Sequence, residues 1–119
     1  MSEFKIRVES TDDFFVRARR AAKRIDSGDY GVQEFGLSFV TPQLLFELLN
    51  ANRWQLLSVL RGHGPWSIRA LAGALGRDYK AVHTDATKLI EAGLIERDEK
   101  GLISVPWTKI TAELGEEAA

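Results

Sequence analysis

The residues best equipped for chemistry lie in one run, RDYKAVHTDATK, between Arg77 and Lys88. The spacing predicts a helix from Asp78 to Ala92, capped by the Asp78 side chain and stopped at Gly93. Such a helix has two faces. Val82, Ala86, Leu89 and Ile90 form an apolar stripe. Lys80, His83, Thr84, Thr87 and Lys88 lie opposite, with Arg77 and Tyr79 at the start. Cations, hydroxyls and an imidazole on one flank can meet phosphates and the base edges of a DNA major groove, which admits a helix. Ser67 and Arg69, at the start of the preceding helix, are placed to touch the phosphate backbone. Arg97 and Lys100, in a following hairpin, are placed to graze it. The plain alternative is a solvated helix face, because Asp78 and Asp85 dilute the charge. Asp85 itself is expected to anchor a neighbouring turn, or to pair with Lys88 or Arg69.

Other chemistry finds little support. His83 and Asp85 are two apart and fall on different faces of a helix, so they cannot form a catalytic pair. Gly62-His63-Gly64 lacks the Gly-Lys-Ser/Thr ending of a phosphate loop and reads as a helix terminus, with His63 at the surface. There is no cysteine, and two histidines are too few for a His-rich metal site. No catalytic residue, metal or cofactor is therefore expected. Sixteen basic and seventeen acidic residues leave a net charge of −1, so composition alone does not announce a nucleic-acid binder. The apolar runs are far shorter than the ~18–20 residues of a membrane span. The start, MSEFKIRVES, has no apolar signal core. The expectation is a cytoplasmic, nucleoid-associated protein with no membrane partner.

The elements that must position these residues are legible along the chain. With 119 residues, 45% apolar and 28% charged, one globular unit is expected. EFKIRVE alternates, with Phe4, Ile6 and Val8 on one side, as a half-buried strand does. Such a strand needs a neighbour: the strand Phe35–Phe39, a C-terminal strand around 110–114, or a second subunit. Ser10 or Thr11 caps a helix whose apolar residues are Phe14, Ala18, Ala21, Ala22 and Ile25. Arg17, Arg20 and Arg24 share another face, beside Arg19 and Lys23. They could touch DNA flanks or an acidic partner, or form a solvated face with an Asp13–Arg17 pair. SGDYG, at 27–31, breaks the helix. Thr41-Pro42 starts a short helix with Leu44, Leu45, Leu48 and Leu49.

A helix from Arg53 to Arg61 is expected to place Trp54, Leu56, Leu57 and Leu60 in the core. Ser67 caps a helix over Ile68–Leu75 that ends at Gly76. Strands at 94–97 and 102–105 flank the turn Asp98–Gly101, and the tail GEEAA is expected to fray. Trp54, Trp66 and Trp107 read as core or dimer-interface aromatics rather than base-stacking platforms. The fold class is α+β, mainly α. A small N-terminal β-α-β element, 1–40, serves dimerisation or partner binding, and a second unit, 41–119, binds DNA.

Helix, short turn, helix and hairpin is the order of a winged helix-turn-helix, with 78–92 as recognition helix and 94–105 as wing. Residues 56–107 resemble the MarR-like regulators of bacteria and archaea, and among them a small group of antitoxin-type DNA-binding proteins. The resemblance is carried by PWSIRALAGALGRDYKAVHTD and EAGLIERDEKGLISVP. The N-terminal strand and helix are similar too, so it covers nearly the whole chain. It implies a dimeric repressor of a toxin–antitoxin system, with Tyr79, Lys80, His83 and Thr84 at DNA-reading positions. One departure is that Thr84 stands where that group would carry Arg; another is Asp98 and Glu99 in the wing. A two-fold dimer would set two recognition helices about 34 Å apart. The alternative is a winged helix that masks a partner toxin through its basic helix at 11–25, with DNA binding secondary.

Overall fold

The computed structural model describes residues 2–29 and 35–114, and the following refers to these. The architecture is mixed α/β and mainly helical, with five helices and two small sheets. Strand β1 (Glu3–Val8) alternates as its sequence predicts: Phe4, Ile6 and Val8 are at most 5% exposed, and the residues between them are half-buried. It is the middle strand of a three-stranded sheet. β2 (Phe35–Phe39) runs parallel on one side, with Phe4 opposite Phe35 and Val8 opposite Phe39. β5 (Lys109–Leu114) runs parallel on the other, with Ile6 opposite Ala112. Two of the three expected neighbours are thus present at once. The C-terminal strand returns to the N-terminal element, so the sheet spans the boundary expected at residue 41. β2 can come close because it carries Gly36, where a Cβ would run into the Lys5 carbonyl oxygen.

Parallel neighbours need a crossover. That of β1 and β2 contains α1 (Thr11–Asp26). Ser10 caps it, its Oγ accepting from the Asp13 N–H at 3.1 Å. Asp12 and Asp13 in the first turn and Lys23 and Arg24 in the last match the helix dipole. None of its residues is buried, and only Arg17 and Ala21 are half-buried, so these two mark the side nearest the sheet. The expected Asp13–Arg17 pair does not form. Arg17 instead donates to both carboxylate oxygens of Glu9 and to Ser38 Oγ. Ser38 in turn donates to Glu9 at 2.6 Å. Glu9 wins because it lies at the end of β1, largely shielded, where a guanidinium can take both its oxygens. The Arg17 hydrogen bond, helped by Ser38 and opposed by partial burial, holds the Glu9 carboxyl below its usual range.

The rest of the chain is helical until its last turns. α2 (Pro42–Leu48) is capped by Thr41, α3 (Ala51–His63) by Asn50, and α4 (Ile68–Leu75) by Ser67. α5 (Tyr79–Glu91) leads into β3 (Glu96–Arg97) and the antiparallel β4 (Ile103–Ser104). Both strands are shorter than expected. Leu94 and Ile95 are buried in the core instead, their N–H groups held by the Leu89 carbonyl. Trp66 adds a bridge to β4, exchanging both backbone hydrogen bonds with Ile103 at 2.8 and 2.9 Å.

A single core joins Phe4, Ile6 and Val8 to the helical residues Leu56, Leu57, Leu60, Leu71, Val82, Ala86 and Leu89. Trp107 packs on it, its ring 5.1 Å from Phe4 and its Nε1 donating to the Gly93 carbonyl. Trp54, expected inside, is 52% exposed. The core-facing line of α3 runs through Leu56, Leu57 and Leu60, and Trp54 sits about a third of a turn away from it. Of the four leucines in and after α2, only Leu45 is buried. Part of the SGDYG break and the tail 115–119 lie outside the described residues.

Two glycine substitutions should have opposite signs. Gly36→Ala places a methyl against the Lys5 carbonyl and should cost about 2 kcal/mol. Gly73→Ala, inside α4 with nothing near its added methyl, should gain roughly 0.5–1 kcal/mol. Urea midpoints measure both, and a wild-type midpoint for Gly36→Ala would contradict the close approach.

Candidate nucleic-acid interface

α4 and α5 are joined by only Gly76, Arg77 and Asp78. Gly76 takes the left-handed conformation (φ 63°, ψ 32°), which lets its own N–H and that of Arg77 close the end of α4 on the Gly73 and Ala72 carbonyls. Asp78 Oδ2 then accepts from the Ala81 N–H at 3.3 Å and starts α5. The inward side of α5 is sealed, with Val82, Ala86 and Leu89 fully buried. On the outer flank Lys80, Thr84 and Lys88 are exposed, and His83 and Thr87 are half-buried.

Several of these side chains hold one another. Tyr79 is 38% exposed and lies between two partners. The Arg69 guanidinium sits 4.6 Å over its ring, and the His83 ring is 5.8 Å away. A cation–π contact thus ties the start of α4 to the start of α5. Thr84 Oγ1 donates to the Lys80 carbonyl at 3.0 Å, leaving its oxygen as an acceptor toward solvent. Ser67 Oγ accepts from the Ala70 N–H at 3.0 Å, so this residue caps α4. Arg97 and Lys100 are exposed at the hairpin, where the Arg97 guanidinium lies over Gly101. Asp98 builds the turn, its Oδ1 accepting from the Lys100 and Leu102 N–H groups at 2.9 Å each.

Arg77 is not on the outer flank. It donates to Asp85 Oδ2 at 2.8 Å, while Arg53 Nε donates to Asp85 Oδ1 at 3.0 Å. Asp85 does anchor the neighbouring turn, through Arg77, but its partners are these two arginines and not Lys88 or Arg69. The reason is burial: Asp85 is 8% exposed and faces inward, whereas Lys88 and Arg69 lie at the surface. Arg53 also donates to the Glu47 and Leu48 carbonyls at 3.1 and 3.0 Å, closing the end of α2. The sequence reading missed Arg53. Its signal was phase, since Arg53, Leu56, Leu57 and Leu60 follow the i, i+3, i+4, i+7 rule for one inward face. His83 and Asp85 point to different partners, as their spacing predicts.

Of the basic residues on α1, Arg17 is engaged with Glu9, and Arg20 and Arg24 are exposed. Among the described residues no group of three or more His, Asp or Glu side chains could hold a metal ion. No helix there is long and apolar enough to cross a membrane. The outer flank of α5 can therefore do one kind of chemistry well: present ammonium groups, an imidazole and hydroxyl oxygens to a polar, anionic surface.

Asp85→Asn should leave two shielded guanidiniums facing a neutral amide and lower unfolding stability by about 3 kcal/mol. Guanidinium melts check this, and an unchanged midpoint would show that the triad does not hold α3 to α5.

No curated protein and no solved structure matches the chain. The family model of HVO_A0114 matches residues 48–112, from the end of α2 into β5 and more than half of the 119 residues. The chain therefore belongs to the HVO_A0114 family.

Proposed function

We propose that this chain is a sequence-specific, double-stranded-DNA-binding regulator of transcription, a MarR-like repressor of the antitoxin type that works as a homodimer in the cytoplasm, at the nucleoid. In this reading α4, the turn and α5 form a helix-turn-helix. α5 enters the major groove and the β3–β4 hairpin is the wing. One observation carries it: α5 turns a fully buried apolar stripe inward and leaves Lys80, Thr84 and Lys88 open to solvent on its outer flank, a short turn after α4. Lys80, His83, Thr84 and Tyr79 are assigned to bases, Lys88 and Arg69 to phosphates, and Arg97 and Lys100 to the wing. Ser67, whose hydroxyl accepts from the α4 amide and can still donate, is assigned to phosphates, and Arg77 leaves the contact set because Asp85 engages it.

The dimer reading draws on α1. Phe15 and Ile25 are 51% and 50% exposed, and with Ala18 and Ala22 they form a seam at i, i+3, i+7 and i+10. A seam of this spacing suits a second helix. In an antiparallel two-fold pair, Asp12 and Asp13 of one copy would face Lys23 and Arg24 of the other. The second reading, a partner toxin, uses the basic helix α1 itself, with Arg17, Arg20 and Arg24 toward an acidic partner beside the uncovered seam, and DNA binding is secondary.

Lys88→Ala should weaken binding to the DNA upstream of the gene and to random DNA alike, and reduce the salt slope by about one. His83→Ala should relax discrimination at one base step. Equal losses on both DNAs for His83→Ala, or an unchanged slope for Lys88→Ala, would contradict these roles. Light scattering should give a dimer mass for the wild type and a monomer mass for Phe15→Asp. A wild-type monomer would favour the toxin-binding reading.

A further inference from the structure

A helix beside a sheet usually turns its apolar side inward. α1 does the reverse along part of its length: its sheet-facing side carries Arg17, beside Arg20, Lys23 and Arg24. With Arg7 of β1 these residues line a cleft of about 440 Å3, within the range of small-ligand sites. Among the described residues, every one that lines it is a cation. Arg17 pairs with Glu9 and Arg7 with Glu113, but among the described residues no carboxylate pairs with Arg20, Lys23 or Arg24. A second hollow shares Arg7 and Arg17 with the first and adds Phe14 and Phe35. These two rings are 41% and 49% exposed, so a flat apolar group could lie against them.

We infer that the cleft between α1 and the sheet binds a nucleoside polyphosphate, its phosphates on Arg20, Lys23 and Arg24 and its base against Phe14 and Phe35. Three observations fit that class together. The cations of one face of α1 converge with Arg7 of β1 on a single open groove. Arg17 is held rigidly by Glu9 and Ser38, so an arginine at the junction of the two hollows is ordered in advance. Guanidiniums bind phosphate oxygens in pairs, and an exposed ring supplies stacking for a base. A duplex backbone would use the cations alone, whereas here the exposed rings of Phe14 and Phe35 line the adjoining hollow and offer a surface for a base. The inference is independent of DNA binding by α5, and the seam of Phe15, Ala18, Ala22 and Ile25 lies on another side of α1.

Calorimetric titration of the full chain tests it, with ATP and with inorganic tripolyphosphate, at about 0.15 M salt, where the screening length is ~8 Å. ATP should bind at one per chain. Arg20→Ala/Arg24→Ala should weaken both ligands about tenfold or more, as expected for losing charge-assisted bonds. Both positions are exposed, and circular dichroism should show an unchanged fold. Phe14→Ala should weaken ATP several-fold and leave tripolyphosphate unaffected. Absence of ATP binding would overturn the inference, as would binding that survives the double arginine change or a Phe14→Ala variant that binds ATP like the wild type. Loss of DNA binding alone in the double variant would also overturn it, by making these arginines a nucleic-acid contact.

Discussion

A carboxylate taken out of water must be matched by positive charge and hydrogen bonds or it destabilises the fold. Asp85 is the only buried charged residue among those described, and two guanidiniums meet it, one on each oxygen. Arg53 reaches it from α3 and Arg77 from the turn before α5. Arg53 also fastens the end of α2. Three helices and a turn thus converge on one side chain of α5. Apolar packing by Val82, Ala86 and Leu89 would hold α5 down, but packing has no direction along the helix axis. The two charged bonds fix its position along that axis, while the buried stripe fixes which residues face outward. Arg77 is half-buried in doing this, and one of its nitrogens is buried without a partner.

The sheet has a similar joining role. β1 inserts Phe4, Ile6 and Val8 into the same core that receives α3, α4 and α5. β5 returns from the hairpin to pair with β1, and Trp107 on the way covers Phe4. The first and last described strands are therefore bonded neighbours, and the hairpin is anchored at both ends. What remains loosely covered is α1, together with Phe46 and Trp54. Exposed apolar residues of this size on one chain are the mark of surfaces that meet something else.

The sequence was most legible where one local rule decides. Asp78, Ser67 and Thr41 are caps with unmistakable chemistry, Ser10 settles the choice between Ser10 and Thr11, and each accepts the backbone N–H its position requires. The stripe Val82–Ala86–Leu89 and the alternation of β1 likewise needed no tertiary information. The misreadings came where two residue types competed for one face. Trp54 was assigned inward by hydropathy, yet Arg53 is the residue in phase with Leu56, Leu57 and Leu60. A buried Asp85 made that position favourable for a cation, and nothing local announces a partner 32 residues away. Arg17 illustrates the same point, because Ser38, which completes its pairing with Glu9, arrives only when β2 is laid beside β1. Parallel pairing of β5 with β1 was open in the sequence, since strand alternation carries no information about neighbours.

Under the proposed function, the outer flank of α5 reads DNA sequence. The most direct measurement is to recover the genomic DNA fragments retained by the full-length wild type and by Lys80→Ala, and to sequence both pools. The account predicts that the wild type enriches a short motif, repeated in inverted half-sites about one helical turn apart, and that Lys80→Ala loses that enrichment while keeping weak, general retention. Wild-type fragments no different from input DNA, or the same motif in both pools, would contradict it.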